Sequence, residues 1–195
     1  MDRTLLLSAA GLMGLLSLAG GPPAGSLPTP PAFLDRPSPW ADSIFQTLTP
    51  DQRIAQLMMV ATGSNRDAKH QADIEQLVKQ YDIGGLIFFQ GGPVRQADLV
   101  DRYQAAAKTP LLIGMDLEWG LAMRLDSTVK FPHQMTLGAT NDDAGIERMG
   151  EEIAREMKRL GVQMSFSPDV DVNDNPANPV INDRSFGEDP ELVSR

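Results

Sequence analysis

Acidic residues and arginines that could bind a polar ligand are concentrated in the second half of the chain. Asp116 directly follows the apolar run 111–115, Arg124 comes a few residues later, and Arg184 lies in the long polar segment 173–190. A sugar hydroxyl both donates and accepts hydrogen bonds, so a carboxylate and a guanidinium can hold adjacent hydroxyls through charge-assisted bonds. These residue types therefore favour a site for a neutral polyol.

Asp171 and Trp119 are two further candidates for the same site. Asp171 follows the apolar run 162–166, and Trp119 offers an aromatic face that can cover the apolar C–H side of a sugar ring. A structural role is the alternative for the aspartates and arginines of this candidate site. An aspartate at the end of a strand can cap the next turn, and an arginine in a loop can pair with a nearby aspartate.

The remaining reactive residue types give little support for other chemistries. There is no cysteine, which excludes disulfides, thiolate catalysis and cysteine-ligated metals. His70 begins a predicted helix, where we expect an exposed or capping role, and His133 is expected to be a packing residue with its hydrogen bonds satisfied. No cluster of histidines and carboxylates has the spacing of a metal site, so neither a metal nor another cofactor is predicted.

Helices and strands alternate through the ordered part of the chain. A helix is predicted to begin at Thr49, where a capping hydroxyl precedes proline and aspartate. Helices are predicted over 70–81, 94–107 and 142–160, and buried strands over 84–89, 111–115 and 162–166, with a fourth strand possible near Met59. This order predicts an α/β fold with a parallel sheet. It fits the N-terminal part of a (β/α)8 TIM-type barrel, incomplete in this chain, and a doubly wound sheet is the alternative.

The N-terminal residues predict an exported protein. Residues 5–19 are apolar and uncharged, which is short for a bilayer span and typical of a signal peptide over residues 1–19. Residues 20–48 are rich in proline and glycine and are predicted to be a linker that ends in the start of the ordered region. We expect export to the periplasm or the extracellular space, without a stable membrane span. An uncleaved anchor is the alternative.

The charge of the chain narrows its partners. The formal net charge is −9 at pH 7. Nucleic acids and anionic membrane surfaces are themselves negative, so no nucleic-acid partner is expected.

Two motifs resemble glycoside hydrolase family 3. The sequence Leu-Ile-Gly-Met-Asp-Leu-Glu-Trp-Gly at 112–120, followed by Arg124, is similar to a segment of that family's N-terminal barrel. In the bacterial β-N-acetylglucosaminidases of the family (β-N-acetylhexosaminidases), this strand ends in Asp-x-Glu-Gly-Gly. Residues 175–190 end in Arg-Ser-Phe-Gly-Glu-Asp-Pro, which resembles the family more specifically. The resemblance covers residues 49–195, which we expect to form a partial N-terminal domain.

The resemblance implies an exo-acting β-N-acetylglucosaminidase that cleaves O-glycosidic bonds with retention, acting on cell-wall or chitin-type sugars. Its partner would be a β-linked amino-sugar oligosaccharide or a peptidoglycan fragment. Asp116, Arg124 and Arg184 would bind the sugar in the cleavage subsite. Asp171 matches a family aspartate for which a structural and a catalytic role are both open.

The sequence departs from the family pattern in two ways. Trp119 stands where the acetylglucosaminidases usually have glycine, and Leu121 where many have arginine, which leaves the preferred sugar open. The family's nucleophile and acid/base follow in segments that would lie beyond Arg195, so the isolated chain is expected to be inactive. A β-glucosidase or β-xylosidase of the same family, and a non-catalytic, truncated sugar-binding remnant, are the alternatives.

Overall fold

A four-stranded parallel sheet forms the centre of the structure. The computed structural model describes residues 36–175 and 177–195. Every neighbouring pair of strands is parallel, and the strands lie side by side in chain order. They are β1 (Met59–Thr62), β2 (Gly85–Phe88), β3 (Leu112–Met115) and β4 (Met164–Ser165). The carboxyl ends of all the strands therefore lie along one edge of the sheet.

Helices precede the first strand, connect the strands and follow the last of them. They are α1 (Pro39–Thr47), α2 (Pro50–Ala55), α3 (Ala68–Tyr81), α4 (Pro93–Ala106), α5 (Gln134–Thr140), α6 (Asp143–Arg159) and α7 (Pro190–Ser194), with 3-10 turns at Leu121–Met123 and Asn182–Arg184. The predicted alternation, and with it the α/β fold class and the strand near Met59, is confirmed. Helices α1, α5 and α7 were not predicted from the sequence, and α1 lies within the segment 20–48 that was predicted to be a linker and the start of the ordered region.

Local sequence determines where several helices begin. Thr49 and Gln52 form a capping box at the start of α2, in which each side chain bonds the backbone N–H of the other residue. Asp67 accepts a bond from the N–H of His70 in the first turn of α3, and Asp142 accepts one from Gly145 in α6. These carboxylates and hydroxyls satisfy N–H groups that have no partner inside the helix.

The core is formed by the central strands and the helices packed on them. Strands β2 and β3 have neighbours on both sides, and alternate side chains of each strand are fully buried, whereas Ile87 is partly buried and Leu112 is exposed. The fully buried strand residues are Leu86, Phe88, Ile113 and Met115, and Val78 of α3 and Tyr103 of α4 complete this set. The buried strand residues alternate along each strand and are in register, so they share one face of the sheet, and the core lies between that face and helices α3 and α4.

Strand β4 is shorter than the predicted run 162–166. The N–H of Val162 donates to the carbonyl oxygen of Met157 at 3.0 Å, which makes Val162 part of the C-terminal cap of α6. Gln163 and Phe166 still donate to the backbone of β3 at 3.0 and 2.9 Å. The chain therefore leaves the helix later than the apolar run suggests, and the regular ladder is limited to two residues.

Across residues 36–175 and 177–195, no helix is both long enough and apolar enough to cross a bilayer. The predicted signal peptide lies outside the described residues.

Candidate functional site

Asp116 and Arg124 form an ion pair at the carboxyl end of β3. Nη2 of Arg124 donates to Oδ2 of Asp116, and the two side chains are only 18% (Arg124) and 23% (Asp116) exposed. The guanidinium carbon of Arg124 lies 4.8 Å from the ring centroid of Phe89, the residue that follows β2. Nε of Arg124 is buried and has no hydrogen-bond partner in the described structure. The pair thus lies between the ends of β2 and β3 with one donor uncommitted.

A tight turn after β3 brings Arg124 back to this position. Gly120 has φ +80°, and a Cβ there would lie 2.6 Å from the ring of Phe131. Both the backbone angle and the contact require glycine. Arg124 is then fixed by backbone bonds: its carbonyl oxygen accepts from the N–H of Gly91 at 3.2 Å, and the N–H of Asp126 donates to Gly91 at 2.9 Å.

Arg184 makes a second, more extensive ion-pair cluster with Glu118 and Asp169. Its Nε and Nη2 donate to the two carboxylate oxygens of Glu118 at 2.9 and 2.7 Å. Nη2 also lies 3.0 Å from Oδ2 of Asp169, and Nη1 donates to the carbonyl oxygen of Val180 at 3.2 Å. The carboxylates of Glu118 and Asp169 are almost fully buried, whereas the Arg184 side chain is 31% exposed. The cluster fastens the loop after β4 to the end of β3.

Asp171 lies beside this cluster and interacts with Asp169. Its backbone N–H donates to Oδ1 of Asp169 at 2.9 Å. A side-chain hydrogen bond with Asp169 and the negative charge of Asp169 raise the pKa of the exposed Asp171 carboxyl, while the positive charge of Arg184 acts in the opposite direction. In Arg184, the hydrogen bonds to Glu118 raise the pKa. Glu118 and Arg184 therefore form a fixed ion pair, and Asp171 remains available at the surface.

The loop that carries Arg184 is folded around a buried serine. Ser185 is fully buried, and its Oγ donates to the carbonyl oxygen of Asp171 at 2.5 Å and accepts from the N–H of Gly187 at 3.2 Å. Helix α5 packs closely on the same loop, because a Cβ on Gly138 would lie 1.9 Å from the carbonyl oxygen of Phe186. These contacts fix the conformation of the loop and, with it, the position of Arg184.

Trp119 is held at the side of the site by a stacked histidine. The rings of Trp119 and His133 have centroids 4.1 Å apart and are inclined by 16°. Nδ1 of His133 lies 2.8 Å from Oδ2 of Asp183, the neighbour of Arg184. His133 thus links the segment after β3 to the loop after β4. His133 therefore packs on Trp119 and has a partner for one of its ring nitrogens.

The predicted site residues do not form a single cluster but belong to two separate ion-pair groups. Asp116 pairs with Arg124 as the spacing allows, whereas Arg184 bonds Glu118 and Asp169. The sequence did not predict this pairing of Arg184 with Glu118 and Asp169. The only signal for it is position, since Glu118 follows β3 and Asp169 follows β4. Among the described residues, no group of three or more histidines and carboxylates could hold a metal ion.

Comparisons with known proteins identify the family. The model of the glycosyl hydrolase family 3 N-terminal domain matches residues 49–195, and the chain belongs to this family. β-Hexosaminidase LpqI of Mycobacterium tuberculosis is 32% identical over 205 aligned residues, which cover 98% of this chain and 51% of LpqI. β-Hexosaminidase A of Pseudoalteromonas piscicida is 34% identical over 63% of this chain and 23% of its own length.

A solved family 3 β-N-acetylglucosaminidase from Paenibacillus sp. FPU-7 gives the same result at the level of structure. It superimposes with a TM-score of 0.68 and 34% identity, over 76% of this chain and 29% of its own chain. The present chain thus spans about half the length of LpqI and a smaller share of the other two relatives. Its sheet is part of the TIM-barrel-like α/β domain of a glycoside hydrolase, which confirms the predicted family and fold.

Proposed function

We propose that this segment holds the terminal sugar in a retaining, exo-acting β-N-acetylglucosaminidase. The observation that carries the proposal is the Asp116–Arg124 pair, an acceptor and a donor fixed side by side at the carboxyl end of a barrel strand. In TIM barrels, the active site lies at that end of the strands. Relatives named β-hexosaminidase support the choice of an amino sugar.

The pair has the chemistry to hold two neighbouring hydroxyls of one sugar ring. Asp116 can accept from one hydroxyl, and Arg124 can donate to the next. Because both side chains are mostly buried, they would bind the hydroxyls with little competition from water. Nη1 of Arg184 has a second N–H beyond the one bonded to Val180, so Arg184 can contribute one bond while Glu118 and Asp169 hold it in place.

Asp116, Glu118 and Asp169 are assigned neither the role of nucleophile nor that of acid/base. Retaining hydrolysis through two carboxyl groups requires them about 5 Å apart, on opposite sides of the bond that is cleaved. Asp116, Glu118 and Asp169 are each bonded to a guanidinium, which leaves them suited to binding. We place the nucleophile and the acid/base beyond Arg195, as the family resemblance implies. Asp171, exposed and with a raised pKa, is assigned a supporting role.

The proposed substrate is a β-linked amino-sugar oligosaccharide or a peptidoglycan fragment. Such polymers lie outside the cytoplasm, which agrees with the export expected from residues 1–19. A β-glucosidase or β-xylosidase is the second candidate. It is favoured by Trp119, which occupies the position of a glycine in the acetylglucosaminidases and is fixed there by its stack on His133.

Binding measured on this chain separates the candidates. N-Acetylglucosamine, glucose and xylose would be titrated in parallel by calorimetry. We expect N-acetylglucosamine to bind at least about tenfold more tightly, a difference of roughly 1.4 kcal/mol. Equal or tighter binding of glucose or xylose would favour the second candidate.

Turnover tests the assignment of roles. The chain incubated with 4-nitrophenyl N-acetyl-β-D-glucosaminide should release no nitrophenol above the uncatalysed rate. Hydrolysis that is lost in an Asp171→Asn variant would show that the described residues include a catalytic carboxyl, contrary to the proposal.

A further inference from the structure

A small cavity lies at the carboxyl ends of β1 and β2, beside the proposed sugar site. It has a volume of about 110 Å³, and its lining includes Thr62, Asn65, Arg66, His70, Phe89 and Gln90. It shares one residue with the Asp116–Arg124 site, because the ring of Phe89 that lines the cavity also contacts Arg124.

The cavity is built by a close approach of two backbone segments. The N–H of Phe89 donates to the carbonyl oxygen of Thr62 at 2.8 Å, which continues the pairing of β1 and β2 to their ends. A Cβ on Gly63 would lie 2.8 Å from the carbonyl oxygen of Gln90 and 3.0 Å from Oδ1 of Asn65. A side chain at Gly63 would therefore fill or displace this wall.

The lining carries one positive charge, on the exposed residue Arg66, in a strongly acidic protein. It contains Arg66 and His70 and no carboxylate, whereas the whole chain has a formal net charge of −9. Across the described residues, no carboxylate lies within ion-pair distance of the Arg66 guanidinium. Asp67 is the adjacent acid, and it caps α3 by accepting from the N–H of His70 at 2.8 Å.

His70 is fixed in the wall by a buried hydroxyl. Its Nε2 lies 3.2 Å from Oγ1 of Thr62, and Thr62 is 5% exposed. The ring belongs to the first turn of α3, where the helix dipole also favours negative charge. The cavity thus combines a held imidazole, a free guanidinium and the amides of Asn65 and Gln90.

We propose that this cavity binds the carboxylate of an acidic substituent on the substrate sugar. A planar guanidinium matches a carboxylate through paired hydrogen bonds. The volume is several times the ~30 Å³ occupied by one water molecule in the liquid, which suits a carboxyl group with a short carbon stem. The inference rests on the proposed function: Asp116 and Arg124 would hold the terminal N-acetylglucosamine, and the ring that carries the acidic substituent would be the sugar bonded to it, near Phe89.

The two histidines of the chain provide separate reporters for the two sites. His70 lies in the cavity wall, and His133 stacks on Trp119 at the proposed sugar site. Their imidazole signals would be followed by NMR at constant pH and assigned with His70→Gln. The probes are N-acetylglucosamine, N-acetylmuramate, which adds a lactyl carboxylate to the same ring, and acetate.

We expect N-acetylmuramate to shift the His70 signal saturably and N-acetylglucosamine to leave it unchanged. Arg66→Gln should weaken the His70 response at least about tenfold, because a charge-assisted hydrogen bond is lost. Arg95→Gln is the matched control, since Arg95 is an exposed arginine paired with Asp126. A response to acetate as strong as that to N-acetylmuramate would show a site for free carboxylates and overturn the link to the sugar.

The outcomes distinguish this inference from the proposed function. If both sugars shift His133 and neither shifts His70, the cavity has no role in binding and the sugar site stands. If N-acetylmuramate shifts His70 while no sugar affects His133, the cavity binds the acid and the proposed sugar site is wrong. A His70 shift that persists unchanged in Arg66→Gln also overturns the inference.

Discussion

The ion pair between Glu118 and Arg184 should be a main support of the loop that follows β4. Glu118→Gln keeps the shape of the side chain and removes its charge. Two hydrogen bonds, of 2.9 and 2.7 Å, would lose their charge-assisted partner, and a neighbouring bond from Arg184 to Asp169 would remain. The substitution therefore tests how strongly the loop depends on this contact.

The expected loss of stability follows from the burial of the two partners. Breaking a fully buried ion pair costs about 3–5 kcal/mol, whereas an exposed pair is worth about 0–1 kcal/mol. The carboxylate of Glu118 is 5% exposed, but Arg184 is 31% exposed and keeps Asp169. We therefore expect Glu118→Gln to lower the free energy of unfolding by about 2 kcal/mol, between these limits.

Urea denaturation of the chain measures this loss, and a double-mutant cycle with Arg184→Gln isolates the pair. The coupling energy should be about 1–2 kcal/mol, within the range for residues in direct contact. Asp126→Asn is the matched control, because its pair with Arg95 is more than half exposed on both sides. If the effects of Glu118→Gln and Arg184→Gln on the free energy of unfolding add within about 0.5 kcal/mol, the role assigned to the Glu118–Arg184 pair is refuted.

Four further substitutions test other parts of the structure. Gly138→Ala should destabilise the fold by about 2 kcal/mol, because its Cβ would meet a backbone carbonyl oxygen at 1.9 Å. Gly150 lies in helix α6 with open space around its Cα, so Gly150→Ala should stabilise the fold by about 0.5–1 kcal/mol in the same denaturation experiments. Burial raises the pKa of Glu156, so the folded state binds its proton more tightly than the unfolded state does; Glu156→Gln should raise the melting temperature at neutral pH, and this gain should vanish as the pH falls through the folded-state pKa. If the difference in melting temperature between the parent protein and Glu156→Gln is the same at neutral pH and below the folded-state pKa, burial of the Glu156 carboxyl is not its cause. His133→Ala should alter the fluorescence of Trp119, and identical spectra would argue against the stack.

The sheet and most helices were predictable because their signals are local. The run at 84–89 reads as a strand buried on both faces, and β2 lies there. Thr49, Pro50 and Asp51 identify the start of α2 within three consecutive residues. Helix α5 was missed because its seven residues, among them a glycine and two threonines, give no clear apolar periodicity.

The site was predictable in outline and not in its pairing. Asp116 was found because it directly follows a strand, and its partner Arg124 is close in sequence. The contacts of Arg184 with Glu118 and of His133 with Asp183 join residues separated by 66 and 50 positions. Such contacts depend on how β3, α5 and the loop after β4 meet in space, which no local pattern records.

Binding of N-acetylglucosamine to an Asp116→Asn variant tests the central claim most directly. In a Trp40→Phe background, Trp119 is the single tryptophan of the chain and its fluorescence reports on the site. We predict a saturable change with the parent protein and a dissociation constant at least about tenfold higher after Asp116→Asn, while Asp126→Asn leaves it unchanged. Equal affinities of the parent protein and Asp116→Asn, or no saturable response in either, would contradict the assignment of Asp116 to a sugar site.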